Sequence, residues 1–198
     1  MALRHLRYFV TIAESAHEQD NALKQCQIDV GFSYLEVDDA KDNLIDTILV
    51  RDEPLVAAIP VAHQLANQAT IDLVDIVHER LLLFPKNSPS SMLDTILNYF
   101  AIELLQPTQV IEVRELHVAL GLVAAGEGIT IIPQGLENLQ HQQVVYRHFN
   151  DRRITCPVVM KTRAFEHAPY VTTLLKILYD WYVQLNIDYY PSPPDLFR

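Results

Sequence analysis

The residues of this chain that could carry chemistry are dispersed, and most of them fail a spacing test. The eight histidines contain no i, i+4 pair of the kind that grips a metal from one helix face. Cys26 and Cys156 lie too far apart in sequence for a zinc knuckle or a redox pair. Cys156, just ahead of Pro157 in a strand-like run, reads as a small core residue. Gly126-Glu127-Gly128 follows a helix-like run, the reverse of the order that cradles a dinucleotide. No Gly-x-Ser-x-Gly elbow occurs to present a nucleophile. Glu112, Glu115 and Glu127 suit solvated or helix-start charges better than a catalytic acid–base pair. These observations predict a protein that is not an enzyme, with no metal and no cofactor.

What remains is suited to binding. The loop Ser88–Ser91 runs into a helix-like segment, where exposed N–H groups and the positive end of the dipole attract a carboxylate. An ordinary capped helix start accounts for the same residues. Arg4, His5 and Arg7 form a small basic patch of the kind that meets phosphates. The whole chain, however, has 15 Lys and Arg against 25 Asp and Glu, a net charge of −10. Nucleic-acid binding draws much of its affinity from cations neutralising phosphates, so the chain as a whole is a poor DNA binder.

The elements that position these residues can be read from periodicity. Leu3, Leu6, Phe9, Val10 and Ala13 recur at helical spacing, and a helix-like pattern continues over 18–26. Ile28–Phe32 alternates like a strand, with Gly31 where backbone approaches closely. Ile45–Val50 and Leu55–Ile59 are predicted as two strands separated by Arg51-Asp52-Glu53-Pro54. Further strands are expected at Arg80–Phe84, Val110–Val113, Ile129–Ile132, Val144–Phe149 and Pro157–Lys161. Helices are expected at Ile71–Val77, Met92–Glu103, Glu115–Ala125 with Gly126 as its stop, Leu136–Gln140 and Tyr170–Leu185. Strands alternate with helices, which predicts an α/β protein with parallel sheet covered by helices. With 198 residues that are 49% hydrophobic, the chain has material for one domain or two small ones. No apolar run reaches the roughly 20 residues of a bilayer span and no secretion signal is apparent, so a cytoplasmic protein without membrane contact is expected.

Several stretches resemble the LysR-type transcriptional regulators. Leu3-Arg4-His5-Leu6-Arg7-Tyr8-Phe9-Val10 looks like the start of that family's first helix, and the likeness breaks off near Ser15. It resumes at about Glu18, inside the effector-sensing domain. Asn21–Gln25 followed by Ile28-Asp29-Val30-Gly31-Phe32 is similar to the helix and "D-x-G-F" strand of the sensor. Glu53–Pro60 with His63 resembles its crossover strand. Glu112–Leu116, then Leu120–Ile129 with Ile132-Pro133, is the most specific stretch and resembles the branch responsive to muconate, benzoate and related compounds of aromatic catabolism.

The resemblance implies two Rossmann-like lobes of the periplasmic-binding-protein type, the first lacking its opening strand and helix. Residues 1–17 would be a remnant of the first helix of the winged helix-turn-helix, with Arg4, His5 and Arg7 its DNA-binding residue types. Residues 18–53 and 155–190 would form lobe I, 54–154 lobe II, and 191–198 a tail. The family's effector cleft maps to Ser90, Ser91, Met92, Tyr34 and Val158. Ala16 falls near the place of a cleft threonine, and Tyr34 stands where muconate-type sensors carry an arginine. Arg51, Glu53 and Tyr182 map to a second, more apolar pocket of benzoate-responsive relatives; a surface ion pair beside a packed aromatic is the plainer reading of the same three.

The implied partner is a small carboxylate of an aromatic pathway. DNA is a partner in intact relatives, and a homo-oligomer through the sensor lobes is expected. With the recognition helix missing from the resemblance, this chain alone is not expected to bind DNA specifically. Two alternatives stand beside this reading: a degenerate remnant without ligand binding, and a modulator that associates with an intact homologue. The apolar stripe Leu3–Ala13, without a helix-turn-helix to pack on, is expected to cover either the first lobe's exposed sheet or a partner chain.

Overall fold

The computed structural model describes residues 16–34, 43–84, 92–139, 141–164 and 169–190. The chain divides into two compact units, one of residues 1–52 and 157–198 and one of residues 53–156. The apolar stripe in residues 3–13, the loop 88–91 and the tail 191–198 lie outside the described residues.

In the first unit, helix α1 (Ala16–Lys24) leads through a turn to strand β1 (Val30–Tyr34). Cys26 takes a left-handed φ of 56° in that turn. β1 pairs antiparallel with β8 (Thr155–Arg163), Val30 opposite Thr162 and Tyr34 opposite Val158. β8 is flanked in turn by β2 (Ile45–Pro60), giving the order β1-β8-β2. Successive side chains of a strand point to opposite faces, and each face of β1 has its own cover. Val30 and Phe32 pack with Ile48, Val50 and Met160 against the final helix, α5 (Pro169–Leu185), through Val171, Leu175, Tyr179 and Tyr182. Gly31 faces the other way, under α1: a Cβ there would sit 2.8 Å from Gln19 Oε1 and 3.8 Å from Leu23 Cδ1.

Charge fixes α1 to the sheet. Lys161 Nζ donates to Asp20 at 2.9 Å. Arg163 donates to the Ile28 carbonyl at 2.6 Å, to the Leu23 carbonyl at 3.3 Å and to the Asp29 carboxylate at 2.7 Å. Both partners of the Arg163–Asp29 pair are only 17% exposed, so this cation joins one acid to the carbonyls of Leu23, which also accepts the Cys26 N–H, and of Ile28. The outward face of α5 is apolar in part, and Trp181 stands 57% exposed on it.

The second unit is built on a mixed sheet. β2 pairs antiparallel with β6 (Thr130–Pro133) on one side and with β7 (Val144–Phe149) on the other. β3 (Thr70–Ile71) adds parallel to β7. β4 (Arg80–Leu83) and β5 (Gln109–Glu112) pair in parallel. β4 joins the rest at Ile129: Leu82 N–H donates to the Ile129 carbonyl at 2.8 Å, and Ile129 N–H to the Arg80 carbonyl at 2.9 Å. Gly128 makes this contact feasible, because a Cβ at that position would lie 2.4 Å from the Arg80 carbonyl oxygen.

Helices α2 (Leu73–Ile76), α3 (Met92–Ile102) and α4 (Leu116–Ala124) bury Leu73, Ile76, Leu93, Ile96, Phe100, Ala119, Leu120 and Val123. α4 ends as its glycine predicts. Gly126 has φ 80°, its N–H returns to Val123 and that of Glu127 to Leu122, which is the paired closure of a Schellman motif. Among the described residues no helix is long and apolar enough to cross a membrane.

Three expectations need correction. The sheet is mixed instead of parallel, because β8 returns against β1 and β6 and β7 both run against β2. The two strands foreseen around Arg51–Pro54 are one strand of 16 residues. Pro54 lies within it, where a missing N–H is tolerated when that position makes no ladder bond. The short segments at 71–77 and 136–140 shrink to one helical turn, Leu73–Ile76, and a 3-10 turn, Gln134–Asn138.

Replacing Arg163 by Met removes the cation that pairs with the little-exposed Asp29 carboxylate and donates to the Ile28 carbonyl, while keeping similar bulk. The expected loss is about 3 kcal/mol of stability, read as a lower urea midpoint at unchanged slope.

Candidate functional site

In the first unit the sheet brings two of the predicted cleft residues together. Tyr34, the last residue of β1, lies directly opposite Val158 of β8 in the ladder, and both are half-buried. By alternation Tyr34 follows Val30 and Phe32 onto the α5 side of the sheet. Ser33 points to the α1 side, and its hydroxyl is buried without a hydrogen-bond partner. A hydroxyl can donate one bond and accept two, so Ser33 holds unspent capacity on the face opposite Tyr34. Sequence reading passed over it; a hydroxyl within an apolar strand, one residue before the strand's end, is the signal that could have found it.

Of the second predicted group, the first unit joins Arg51 and Tyr182. The Arg51 guanidinium lies over the Tyr182 ring at 5.5 Å from its centroid, a cation–π arrangement. Tyr189 stacks on Tyr179 at 4.8 Å and tilts against Tyr182 at 6.2 Å. Next to Arg51 on β2, the Asp52 carboxylate accepts the Tyr190 hydroxyl. That bond, followed by the charge of Asp52, raises the Tyr190 phenol above its ordinary pKa of 10.0. Tyr179, Tyr182 and Tyr189 with the Arg51 guanidinium thus form one aromatic cluster, and Tyr190 is tied to the neighbouring Asp52.

Glu53 belongs to the second unit. It is 4% exposed, so it is no surface charge. Its carboxylate accepts the Gly135 N–H at 2.5 Å, and a Cβ on Gly135 would fall 2.6 Å from the same oxygen. An acid this deeply placed needs such a donor, since burying an unsatisfied carboxylate is strongly unfavourable.

Also in the second unit, Met92 is the first residue of α3 and is half-buried. Behind it, Tyr99 ties the helix to β8: its hydroxyl donates to the Thr155 carbonyl at 3.0 Å and accepts the Thr155 N–H at 3.2 Å. The helix start is thereby held by a two-way bond two turns along. Thr130, fully buried at the start of β6, has a hydroxyl without a hydrogen-bond partner. Ser90, Ser91, Arg4, His5 and Arg7 lie outside the described residues. Among the described residues no group of three or more His, Cys, Asp or Glu side chains could hold a metal ion.

Against known proteins, a family model described as "LysR substrate binding domain" matches residues 5–182. The transcriptional regulator BenM of Acinetobacter baylyi is 33% identical over 162 residues, covering 81% of this chain and 52% of that protein. The probable cat1 operon transcriptional activator of Acinetobacter lwoffii is 30% identical over 168 residues, 84% of this chain and 54% of that protein. Among solved structures, the BenM effector binding domain with its effector benzoate superposes at a TM-score of 0.77 and 30% identity, covering 92% of this chain and 80% of that one. The effector binding domain of QuiR in complex with shikimate has the same fold, at a TM-score of 0.68 and 20% identity, covering 88% of this chain and 81% of that one. The chain spans about half the length of the curated relatives it matches.

A methyl group at Gly135 must displace the Glu53 carboxylate and leave it without its backbone donor. Gly135→Ala is therefore expected to cost about 2 kcal/mol of stability, measured by chemical denaturation.

Proposed function

This chain belongs to the LysR substrate-binding-domain family, and from that premise we propose that it is the effector-sensing part of a LysR-type regulator, binding a small organic acid from aromatic catabolism. The observation that carries this reading is the likeness to a BenM effector domain solved with benzoate, at 30% identity over nearly the whole chain. In this reading the start of α3, with Ser90, Ser91 and Met92, holds the acid's carboxylate through backbone N–H groups, serine hydroxyls and the helix dipole. Tyr34 and Val158 supply one donor and one apolar contact.

Tyr34 also narrows the ligand class. A guanidinium grips a carboxylate by two charge-assisted bonds, whereas a phenol offers one neutral donor. An aromatic monocarboxylate is favoured over a dicarboxylate such as muconate. The Arg51–Tyr182 patch, with its cation set over an aromatic face, suits a flat apolar acid as a second binding place. The ligand acts by favouring one arrangement of the receptor over another, which requires different affinity for the two.

We further propose that these 198 residues do not read promoter DNA by themselves. Support comes from the net charge of −10, which opposes the phosphate neutralisation on which such binding depends. We also propose that the sensor part associates with copies of itself or with a homologue. Enzymatic chemistry has no part in this reading, and the expected location is the cytoplasm.

Benzoate at 100 times its dissociation constant should add about 2.7 kcal/mol of stability, raising the melting temperature by roughly 5–10 °C for a chain of this size. Ser91→Ala should reduce that shift and muconate should give a smaller one. If neither benzoate, muconate nor related aromatic-pathway acids move the melting curve, the chain is better read as a remnant without ligand. In a gel-shift assay with promoter fragments, no sequence-specific complex is expected at nanomolar protein; a specific nanomolar complex would refute the DNA half of the proposal.

A further inference from the structure

The Arg51–Tyr182 patch is closed as it stands. Tyr179 and Tyr182, neighbours on the buried face of α5, are each 8% exposed. The Arg51 guanidinium lies over the Tyr182 ring. Tyr189 stacks on Tyr179 at 4.8 Å, with the ring planes 22° apart, and tilts against Tyr182 at 6.2 Å. A flat acid therefore finds no open ring face. One of the two covers must give way, and the cation is the group that a carboxylate needs. Tyr189 is the cover left to move.

The chain around Tyr189 is built as a strap. Asn186 ends α5 with a left-handed φ of 53°. Its N–H returns to Val183 at 3.2 Å and that of Ile187 to Tyr182 at 2.9 Å, a Schellman closure that turns the chain out of the helix. Residues 187–190 then form neither helix nor strand. Ile187 and Tyr189 pack on the apolar cluster of the first unit. Tyr190 is fastened to β2 at two points: its N–H donates to the Val50 carbonyl at 2.7 Å, and its hydroxyl donates to the Asp52 carboxylate. Arg51 lies between those two anchors in the strand. Ring contact and anchor sit on consecutive residues, so lifting Tyr189 loads the bonds of Tyr190.

We propose that residues 187–190 are an autoinhibitory strap: Tyr189 fills the place in the Arg51–Tyr182 patch that the ring of a small aromatic acid would take, and such an acid enters by displacing it and unfastening Tyr190 from β2. The inference rests on the second binding place proposed above and adds its regulation. Being tethered, the Tyr189 ring competes at an effective concentration on the order of millimolar. The patch accepts a free acid only in the fraction of molecules whose strap is open, and its apparent affinity falls by that fraction. Occupancy is then felt at Val50 and Asp52, the last stretch of β2 before the strand enters the second unit at Glu53.

The test is a benzoate titration of the full 198-residue chain, wild type and Tyr189→Ala, followed by calorimetry and by 15N NMR. Tyr189→Ala opens the patch and leaves Arg51, Tyr179 and Tyr182 in place. Expected in the variant is a binding event at the patch about tenfold tighter, or more, than in the wild type. It should show NOEs from benzoate to the Tyr182 ring and be lost when Arg51→Met is added. In the wild type, benzoate should move the Tyr190 amide to a coil-like shift and speed its exchange as the patch fills. Equal affinity and stoichiometry in the two proteins overturn the proposal. A Tyr190 amide unmoved at saturating benzoate overturns it too; if the acid still binds at the start of α3, the effector reading survives. Binding to neither protein overturns both. The wild-type Tyr190 amide decides even if the variant does not fold.

Discussion

Everything in these two units depends on the requirement that sheet carrying apolar side chains on both faces be covered twice. Removing apolar area from water contributes roughly 25 cal/mol per Å2, and no arrangement of short elements reaches that gain unless each face finds a partner. In the first unit the two partners are unlike. α5 covers its face of β1, β2 and β8 with a broad apolar stripe. α1, poor in large apolar residues, covers the other with Leu23 and is held by charge, through Lys161–Asp20 and the three bonds of Arg163. Gly31 is the point at which that second cover approaches the backbone. The second unit meets the same requirement with apolar helices and with a backbone join at Ile129 tight enough to demand a glycine beside it.

This division of labour explains what could be read in advance. α3, α4 and α5 carry apolar residues at helical spacing, and α4 ends at a glycine, so their extents follow from local rules. Strand positions such as Val144–Phe149 were equally legible. Strand direction was not. Alternation along β8 is the same whether it runs with or against β1, and the outcome rests on pairings made across more than a hundred residues. The continuity of β2 through Pro54 was hidden for a related reason, since a proline marks a break only where its N–H is needed.

The site divides in the same way. Tyr34 and Val158 were chosen by resemblance, and the ladder sets them opposite each other. Arg51 and Tyr182 were grouped by the same resemblance and share a contact. Glu53, two positions from Arg51, turned out to depend on a glycine N–H 82 residues away, and nothing local to Glu53 announces that. Ser33 and Thr130 escaped notice because a hydroxyl in an apolar strand reads as tolerated polarity until its missing partner is seen.

One feature of α5 has a practical bearing. The chain contains a single tryptophan, and it stands 57% exposed on the outward face of that helix, away from the packed stripe. Intrinsic indole emission from this protein therefore reports the surroundings of one spot on one helix, with no background from the second unit. Contact between that face and another macromolecule would register there as a colour change, while a small acid seated elsewhere would leave the spectrum nearly untouched.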